Sequence, residues 1–459
     1  MTKIDISKIK NYFFIGIAGD GMSAIAQYLT GIGKNVSGSD RQFSNDNKDE
    51  RRKKLEAENI RCFPQDTSGL NKKLELVVIS TAIEPTVPEY KKAVELGIKI
   101  VMRSDLLAAI SQTKKTIAVS GTSGKSTVSA MVYHIFKETN NSPSLITGAG
   151  LVSIQKQGKI GNAIAGKGDY LIIEADESDG SLVKYKPEIG IILNIDKDHK
   201  ELEELDDLFY TFSKNSNKLI VNNSQERSKK FSKNMTNDFG YSEELGFKIS
   251  NFEQNGFHIS FKINDVVFEL NQIGKHNAEN VAAAVSACKL SGISIKDSAK
   301  ALKTYEGIYR RHQVILQEDD LIIIDDYAHN PAKLSASIEA CQFADYKLIT
   351  WFQPHGFKPT KFLRDDFVKE ISEALREEDE IWMSEIYYAG GTVSKDISAE
   401  DLINDIKANG KNAFYVKERN NFPEKIKIHL IKNTIILLTG ARDPSLKKFS
   451  NYVKDNLNN

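Results

Sequence analysis

Short apolar runs, turns rich in Gly, Asp or His, and apolar positions at helical spacing follow one another in three successive stretches of the chain. That order is the signature of βα units in parallel sheets, so the pattern predicts an α/β protein. In the first stretch Tyr12–Ile17 reads as a strand and Met22–Ile32 as a helix, with further strands at Asn35–Ser37, Leu76–Ser80 and Ile98–Met102. The second has a strand at Thr116–Val119, a turn at Gly121–Ser126 and a helix at Thr127–Lys137. Buried strands follow at Tyr170–Ile173 and Ile189–Leu193, then a hairpin over Phe257–Leu270 and an Ala-rich helix over Asn277–Leu290. The third opens with Leu321–Ile324, turns at Asp325–Pro331 into a helix from Ala332, and repeats through Lys347–Trp351, Glu380–Met383 and Thr434–Leu438. Polar joins at Ser111–Lys115 and Gly307–Arg311 divide the chain into 1–112, 113–310 and 311–459.

Composition narrows the classes. The 459 residues carry 62 Lys+Arg against 62 Asp+Glu, so no global basic field exists to hold a nucleic-acid backbone. Three scattered cysteines, Cys62, Cys288 and Cys341, argue against a disulfide framework and for a reducing, cytoplasmic setting. The apolar run near the start is broken by Gly16, well short of the roughly 18 residues of a membrane span.

Candidate chemistry clusters at predicted strand ends. Gly121, Thr122, Ser123, Gly124, Lys125, Ser126 and Thr127 lie between a strand and a helix, where backbone N–H groups cradle phosphate, a lysine reaches the terminal phosphates and a hydroxyl meets Mg²⁺. Val119 occupies the first glycine position of the strict phosphate-loop pattern. Glu174 to Asp179, ending the next strand, suits a hard cation. His199, after Asn194-Ile195-Asp196, reads as a second metal ligand or proton carrier. Asn277 and Asn280 begin a helix, where Asn277 is either an N-cap or an adenine contact. Arg310 and Arg311 read either as a phosphate clamp or as surface arginines, and Asp325 and Asp326 as acceptors for ribose hydroxyls or an ordinary turn. Gly16, Gly19 and Gly21 followed by Asp40 look like a dinucleotide loop with altered spacing, which keeps a nicotinamide-dependent oxidoreductase as an alternative.

Taken together, GTSGKST at 121–127, EADESDGS at 174–181, NIDKDH at 194–199, GKHNAEN at 274–280, DDYAHNP at 325–331 and FQPH at 352–355 resemble the Mur ligase family over essentially the whole chain. GIAGDGMSAIA at 16–26 and SGSD at 37–40 point to the branch that joins an amino acid or short peptide to UDP-N-acetylmuramate. The resemblance implies a Rossmann-like N-terminal domain for the UDP-sugar, a central P-loop ATPase-type domain and a Rossmann-like C-terminal domain. It further implies ATP and Mg²⁺, an acyl-phosphate intermediate, L-alanine as the leading acceptor, and a monomer or homodimer. It assigns the sugar nucleotide to Gly16, Gly19, Gly21, Met22, Ser39, Asp40 and Ser80, and metal to Ser126, Glu174 and His199. It gives catalytic roles to Lys125, His199, Arg310 or Arg311, and His355, and ATP contacts to the 121–127 loop, Asn277, Asn280, Asp325, Asp326 and His329. Ser123 stands where the branch usually has histidine, and Gly356 and Pro359 where it usually has arginines. A peptide-recycling ligase and a non-catalytic nucleotide-binding regulator are the alternatives.

Overall fold

The computed structural model describes residues 4–44, 49–196, 201–343, 345–388 and 394–457. The chain divides into two compact units, residues 1–253, 260–271 and 278–309 in one, and 254–259, 272–277 and 310–459 in the other.

In the first unit a five-stranded sheet runs Arg61–Pro64, Asn35–Asp40, Asn11–Ile15, Leu76–Ile79, Lys99–Met102, every pair parallel. Strand order reverses beside Asn11–Ile15, which puts the turn after that strand at the crevice where such sheets bind ligands. Both faces are covered: Tyr12 and Phe14 enter one core cluster, Phe13 and Ile15 another. Continuous apolar runs in this sequence therefore mark strands buried on both sides.

A six-stranded sheet in the same unit runs Lys218–Val221, Ile189–Ile192, Lys115–Ser120, Tyr170–Glu174, Ser144–Ile146, Ala163–Ile164. Only the last pair is antiparallel. Ala118, Ile173 and Ile192 of this sheet share a core cluster with Tyr12 and Phe14. A polar seam reinforces the join, with Gln27 Nε2 donating to Asn162 Oδ1 at 2.7 Å and Asn162 Nδ2 to the Asp20 carbonyl at 2.9 Å. The expected hairpin is present as His258–Ile263 and Val266–Leu270, neighbours in a separate four-stranded sheet.

The second unit is built on the sheet Gln313–Gln317, Leu321–Asp326, Thr434–Gly440, Lys347–Gln353, Glu380–Met383, Asn412–Tyr415, parallel except at the first pair. Ile322, Ile324 and Leu348 pack on one face, Ile323, Ile349 and Trp351 on the other. Asn330 caps the helix Pro331–Cys341 by accepting from the Lys333 N–H at 2.9 Å, and Pro331 supplies the preset first-turn φ.

The helix expected from Asn277 begins at Lys275 instead. Asn277 is therefore inside the first turn and is not the N-cap; its Nδ2 donates to the Ile273 carbonyl at 2.8 Å. Among the described residues no helix is long and apolar enough to cross a membrane.

In the second unit His276 and His312 lie with ring centroids 5.7 Å apart. Burial, and then His312, push the His276 pKa from 6.5 down to about 4, against an opposite pull from Asp326. Between those values the unfolded chain holds a proton that the folded one does not, so stability falls as pH drops through this window. The loss should reach about 2–3 kcal/mol at pH 4. Urea unfolding at pH 7 and pH 4.5 should show it in the native chain, and His276→Gln should remove that component.

Candidate active site

The first unit gathers the expected phosphate-handling residues at one sheet edge. The strand Lys115–Ser120 has Tyr170–Glu174 on one side and Ile189–Ile192 on the other. The three turns leaving their carboxyl ends therefore converge, although they are far apart in sequence.

The loop is held open from below by its neighbours. Thr122 N–H donates to the Asn194 carbonyl at 3.1 Å, Ser123 N–H to Asn194 Oδ1 at 2.7 Å, and Asp196 N–H to the Thr122 hydroxyl at 3.0 Å. Gly121 has φ +135° and Gly124 φ +85°, and a Cβ on Gly124 would lie 2.6 Å from Asn280 Oδ1. Glycine is required there on both counts. The helix Lys125–Glu138 begins immediately after, so its N-terminal amides face the loop.

Lys125 Nζ donates to the Gly121 carbonyl and to Glu177 Oε2, each at 2.7 Å, with Asp176 Oδ1 at 3.8 Å. Burial by itself would lower the Lys125 pKa, but Glu177, Asp176 and Glu174 outweigh it and hold the ammonium above its ordinary value. Burial raises the Glu177 pKa, with Lys125 pulling against it. Burial also opposes ionisation of Asp176, yet Lys125 and the Ser178 N–H keep its pKa below the usual carboxylate value. The lysine is thus charged and restrained by its carboxylate neighbours.

Glu174 Oε1 accepts from the Thr147 hydroxyl and from the Gly148 N–H, the latter at 2.9 Å. Its Oε2 lies 3.3 Å from where a Gly148 Cβ would stand, a space that a side chain would fill. The carboxylate of Glu174 and the hydroxyls of Ser126 and Thr127 are hard oxygen donors, the chemistry that Mg²⁺ requires. His199 lies outside the described residues. Among those described, no group of three or more His, Cys, Asp or Glu side chains forms a metal cluster.

The expected sugar-nucleotide residues share the carboxyl edge of the five-stranded sheet. Gly16 and Ile17 N–H groups donate to the Ser39 carbonyl at 2.7 and 3.0 Å. Asp40 accepts from the Ala18 N–H through Oδ2 at 2.9 Å and from the Gln42 N–H through Oδ1 at 3.0 Å. Oδ2 thereby ties down the glycine loop, while Oδ1 closes the turn after its own strand. Met22 and Ser39 are buried against this loop, and Ser80 follows the adjoining strand Leu76–Ile79.

In the second unit Arg310 Nε donates to Asp325 Oδ1 and Oδ2 at 3.0 and 3.1 Å, and Nη2 to the Gly440 carbonyl at 3.1 Å. Asp326 accepts from the N–H groups of His312 and Ala328, each at 3.0 Å, and from the Ser337 hydroxyl at 3.1 Å. Arg311 lies over the Tyr327 ring, 5.0 Å from its centroid. His329 stands 5.4 Å from Tyr327 and 5.5 Å from His355, ring to ring.

Two residues to which the sequence assigns no role, Asn194 and Arg103, brace the site, and Glu177, one of the carboxylates of the acidic turn expected to suit a cation, holds Lys125. Asn194 and Glu177 had a usable signal, being polar at the ends of buried strands. Arg103, at the start of an ordinary-looking helix, had none.

The chain matches the family described as Mur ligase family, catalytic domain, over residues 11–115. It matches the Mur ligase middle domain over 119–288 and the Mur ligase glutamate ligase domain over 310–442. It is 33% identical over 458 residues to a UDP-N-acetylmuramate–L-alanine ligase of Carboxydothermus hydrogenoformans, covering 96% of each chain. To the protein of that name from Dictyoglomus turgidum it is 33% identical over 452 residues, 94% of each. Among solved structures, the UDP-N-acetylmuramate–alanine ligase of Thermotoga maritima superposes with a TM-score of 0.79 at 24% identity, over 97% of this chain and 98% of that one. A murein peptide ligase from Psychrobacter arcticus gives a TM-score of 0.68 at 17% identity, over 98% and 99%. Near-full-length identity above 30%, with three family domains in their order, establishes that the chain belongs to the Mur ligase family.

Proposed function

We propose that this chain is a cytoplasmic, ATP-dependent ligase that joins an amino acid, L-alanine first among candidates, to the carboxylate of UDP-N-acetylmuramate in peptidoglycan precursor synthesis. The observation that carries the reading is the charged, restrained Lys125 inside a glycine loop at a helix N-terminus, with Glu177 against it. The near-full-length likeness to ligases of that name supports the choice of substrates.

In this reading the loop amides and Lys125 bind the phosphates of ATP, Lys125 exchanging Glu177 for phosphate oxygen. The sugar carboxylate attacks the γ-phosphorus, forming a P–O bond as the bond to ADP breaks. Lys125 offsets charge that spreads over the transferring group. The uncharged amine of the acceptor then attacks the acyl carbon; as the C–N bond forms, the C–O bond to phosphate breaks and the departing phosphate takes up the proton the nitrogen loses. Ser126, Thr127 and Glu174 would hold a Mg²⁺ ion, which when bound supplies positive charge beside the phosphates. The packed seam around Gln27 and Asn162 keeps the glycine loop of the sugar-nucleotide sheet in fixed relation to the phosphate loop.

The test is turnover with UDP-N-acetylmuramate, Mg-ATP and a panel of L-alanine, glycine, L-serine and a murein tripeptide. ADP and phosphate should form in step with an amide product, fastest with L-alanine. ATP hydrolysis without any amide product would contradict the assignment.

A further inference from the structure

Arg103 is the first residue of the helix Arg103–Ser111, yet its side chain reaches away from its own element. Its Nη2 pairs with Asp179 Oδ2 at 2.9 Å in a partly exposed contact. Its other guanidinium nitrogen, Nη1, lies 3.0 Å from where a Cβ on Gly21 would stand, and its Cδ 3.2 Å from the same point. The guanidinium therefore rests against the first turn of the helix Asp20–Gly31, directly after the glycine loop. A cation at a helix N-terminus is electrostatically unfavourable on its own, since both carry positive potential. An anion bound at that terminus reverses the sign, and a guanidinium beside it adds directed donors.

Asp179 also belongs to the acidic turn that restrains Lys125. Its Oδ1 accepts from the Ser181 N–H at 2.9 Å, Gly180 N–H closes the turn onto the Glu177 carbonyl at 3.1 Å, and Glu177 holds Lys125 at 2.7 Å. Gly21, Arg103, Asp179, Glu177 and Lys125 are thus consecutive links between the glycine loop and the phosphate loop, each assigned an anionic ligand above. A second tie joins the same helix to the same segment: Lys184 Nζ donates to Asp105 Oδ1 at 2.7 Å and to the Ser104 hydroxyl at 2.9 Å. That tie touches neither loop.

We infer that Arg103 is a positioning residue that couples sugar-nucleotide binding to ATP binding, an inference that rests on the ligand assignment made above. An anion at the glycine loop holds Arg103, Arg103 holds Asp179, and Asp179 holds the acidic turn that bears on Lys125. The second ligand meets a turn already ordered, which makes the coupling positive and, by linkage, reciprocal.

The experiment measures Kd for adenylyl imidodiphosphate with Mg²⁺, by calorimetry on the full chain, with and without saturating UDP-N-acetylmuramate. In the native chain the sugar nucleotide should tighten the analogue by about fivefold or more, within the usual range of such couplings. Arg103→Ala should reduce the effect to less than about twofold, with Kd for the analogue alone little changed, and Arg103→Lys should recover part of it. Asp179→Asn, which keeps shape and so guards against misfolding of the alanine variant, should lose the coupling equally. The double variant should lose no more than either single one. Lys184→Ala should retain the coupling. Coupling that survives Arg103→Ala, that is absent from the native chain, or that disappears equally in Lys184→Ala would overturn the inference. A native chain that binds the analogue but not the sugar nucleotide would overturn the ligand assignment, and this inference with it, a result visible without any variant.

Discussion

Lys125→Ala is expected to lower kcat by on the order of 10²–10³-fold, because it removes the charged donor aimed at the transferring phosphoryl group. The same change unbalances a buried pair. Glu177 has a side chain only 7% exposed and makes its 2.7 Å contact with Lys125. Left alone, its carboxylate faces burial and the nearby Asp176 charge, both of which raise its pKa. Partial neutralisation by proton uptake limits the loss of stability to about 2–3 kcal/mol, below the cost of a buried charge that stays ionised. Adding Glu177→Gln removes that charge and should restore most of the stability while turnover stays lost. Denaturant unfolding and steady-state rates on the single and double variants separate the two effects. Turnover that returns together with stability would show that Lys125 only braces the loop.

Asp325→Ala should destabilise the second unit by about 3–5 kcal/mol, the cost of a buried charge without its partner. Arg310 has a side chain 10% exposed, and its Nε contacts both Asp325 oxygens. Burial raises the Asp325 pKa and Arg310 draws it down, so each group depends on the other. Replacing both, as Arg310→Met with Asp325→Leu, exchanges an ion pair for apolar contact, which is often neutral. In this protein it should recover only part of the loss. Arg310 also donates to the Gly440 carbonyl at 3.1 Å, and that buried acceptor would lose its donor at about 1–3 kcal/mol. Urea midpoints for the single and double variants decide the matter. An Asp325→Ala chain as stable as the native one would show that the aspartate is held for a ligand instead of for Arg310.

The elements were legible where an apolar run is buried on both faces, as in Tyr170–Glu174 and Thr434–Gly440, because no polar register then disguises the strand. Short edge strands such as Arg61–Pro64 and Asn412–Tyr415, with mixed composition, carry no such run and were missed. The phosphate loop could be read locally, since strand, glycines, lysine and helix are contiguous. What surrounds it could not. The bond from Ser123 to Asn194 spans 71 positions, and the Arg103 to Asp179 pair spans 76. Both depend on which strand lies beside which, and that order is absent from any local pattern. Asp40 adds what spacing alone does not give: each of its carboxylate oxygens accepts from a backbone N–H group of its own sheet edge.

Activation of the sugar carboxylate by phosphoryl transfer leaves its mark on the oxygen atoms. If that carboxylate attacks ATP, one of its oxygens must leave with the phosphate when the amine displaces it. UDP-N-acetylmuramate labelled with ¹⁸O in the lactyl carboxylate, turned over with L-alanine and Mg-ATP, should release inorganic phosphate carrying one labelled oxygen per molecule, read by mass spectrometry. Unlabelled phosphate accompanying amide formation would contradict the acyl-phosphate route and, with it, the part Lys125 plays in the transfer.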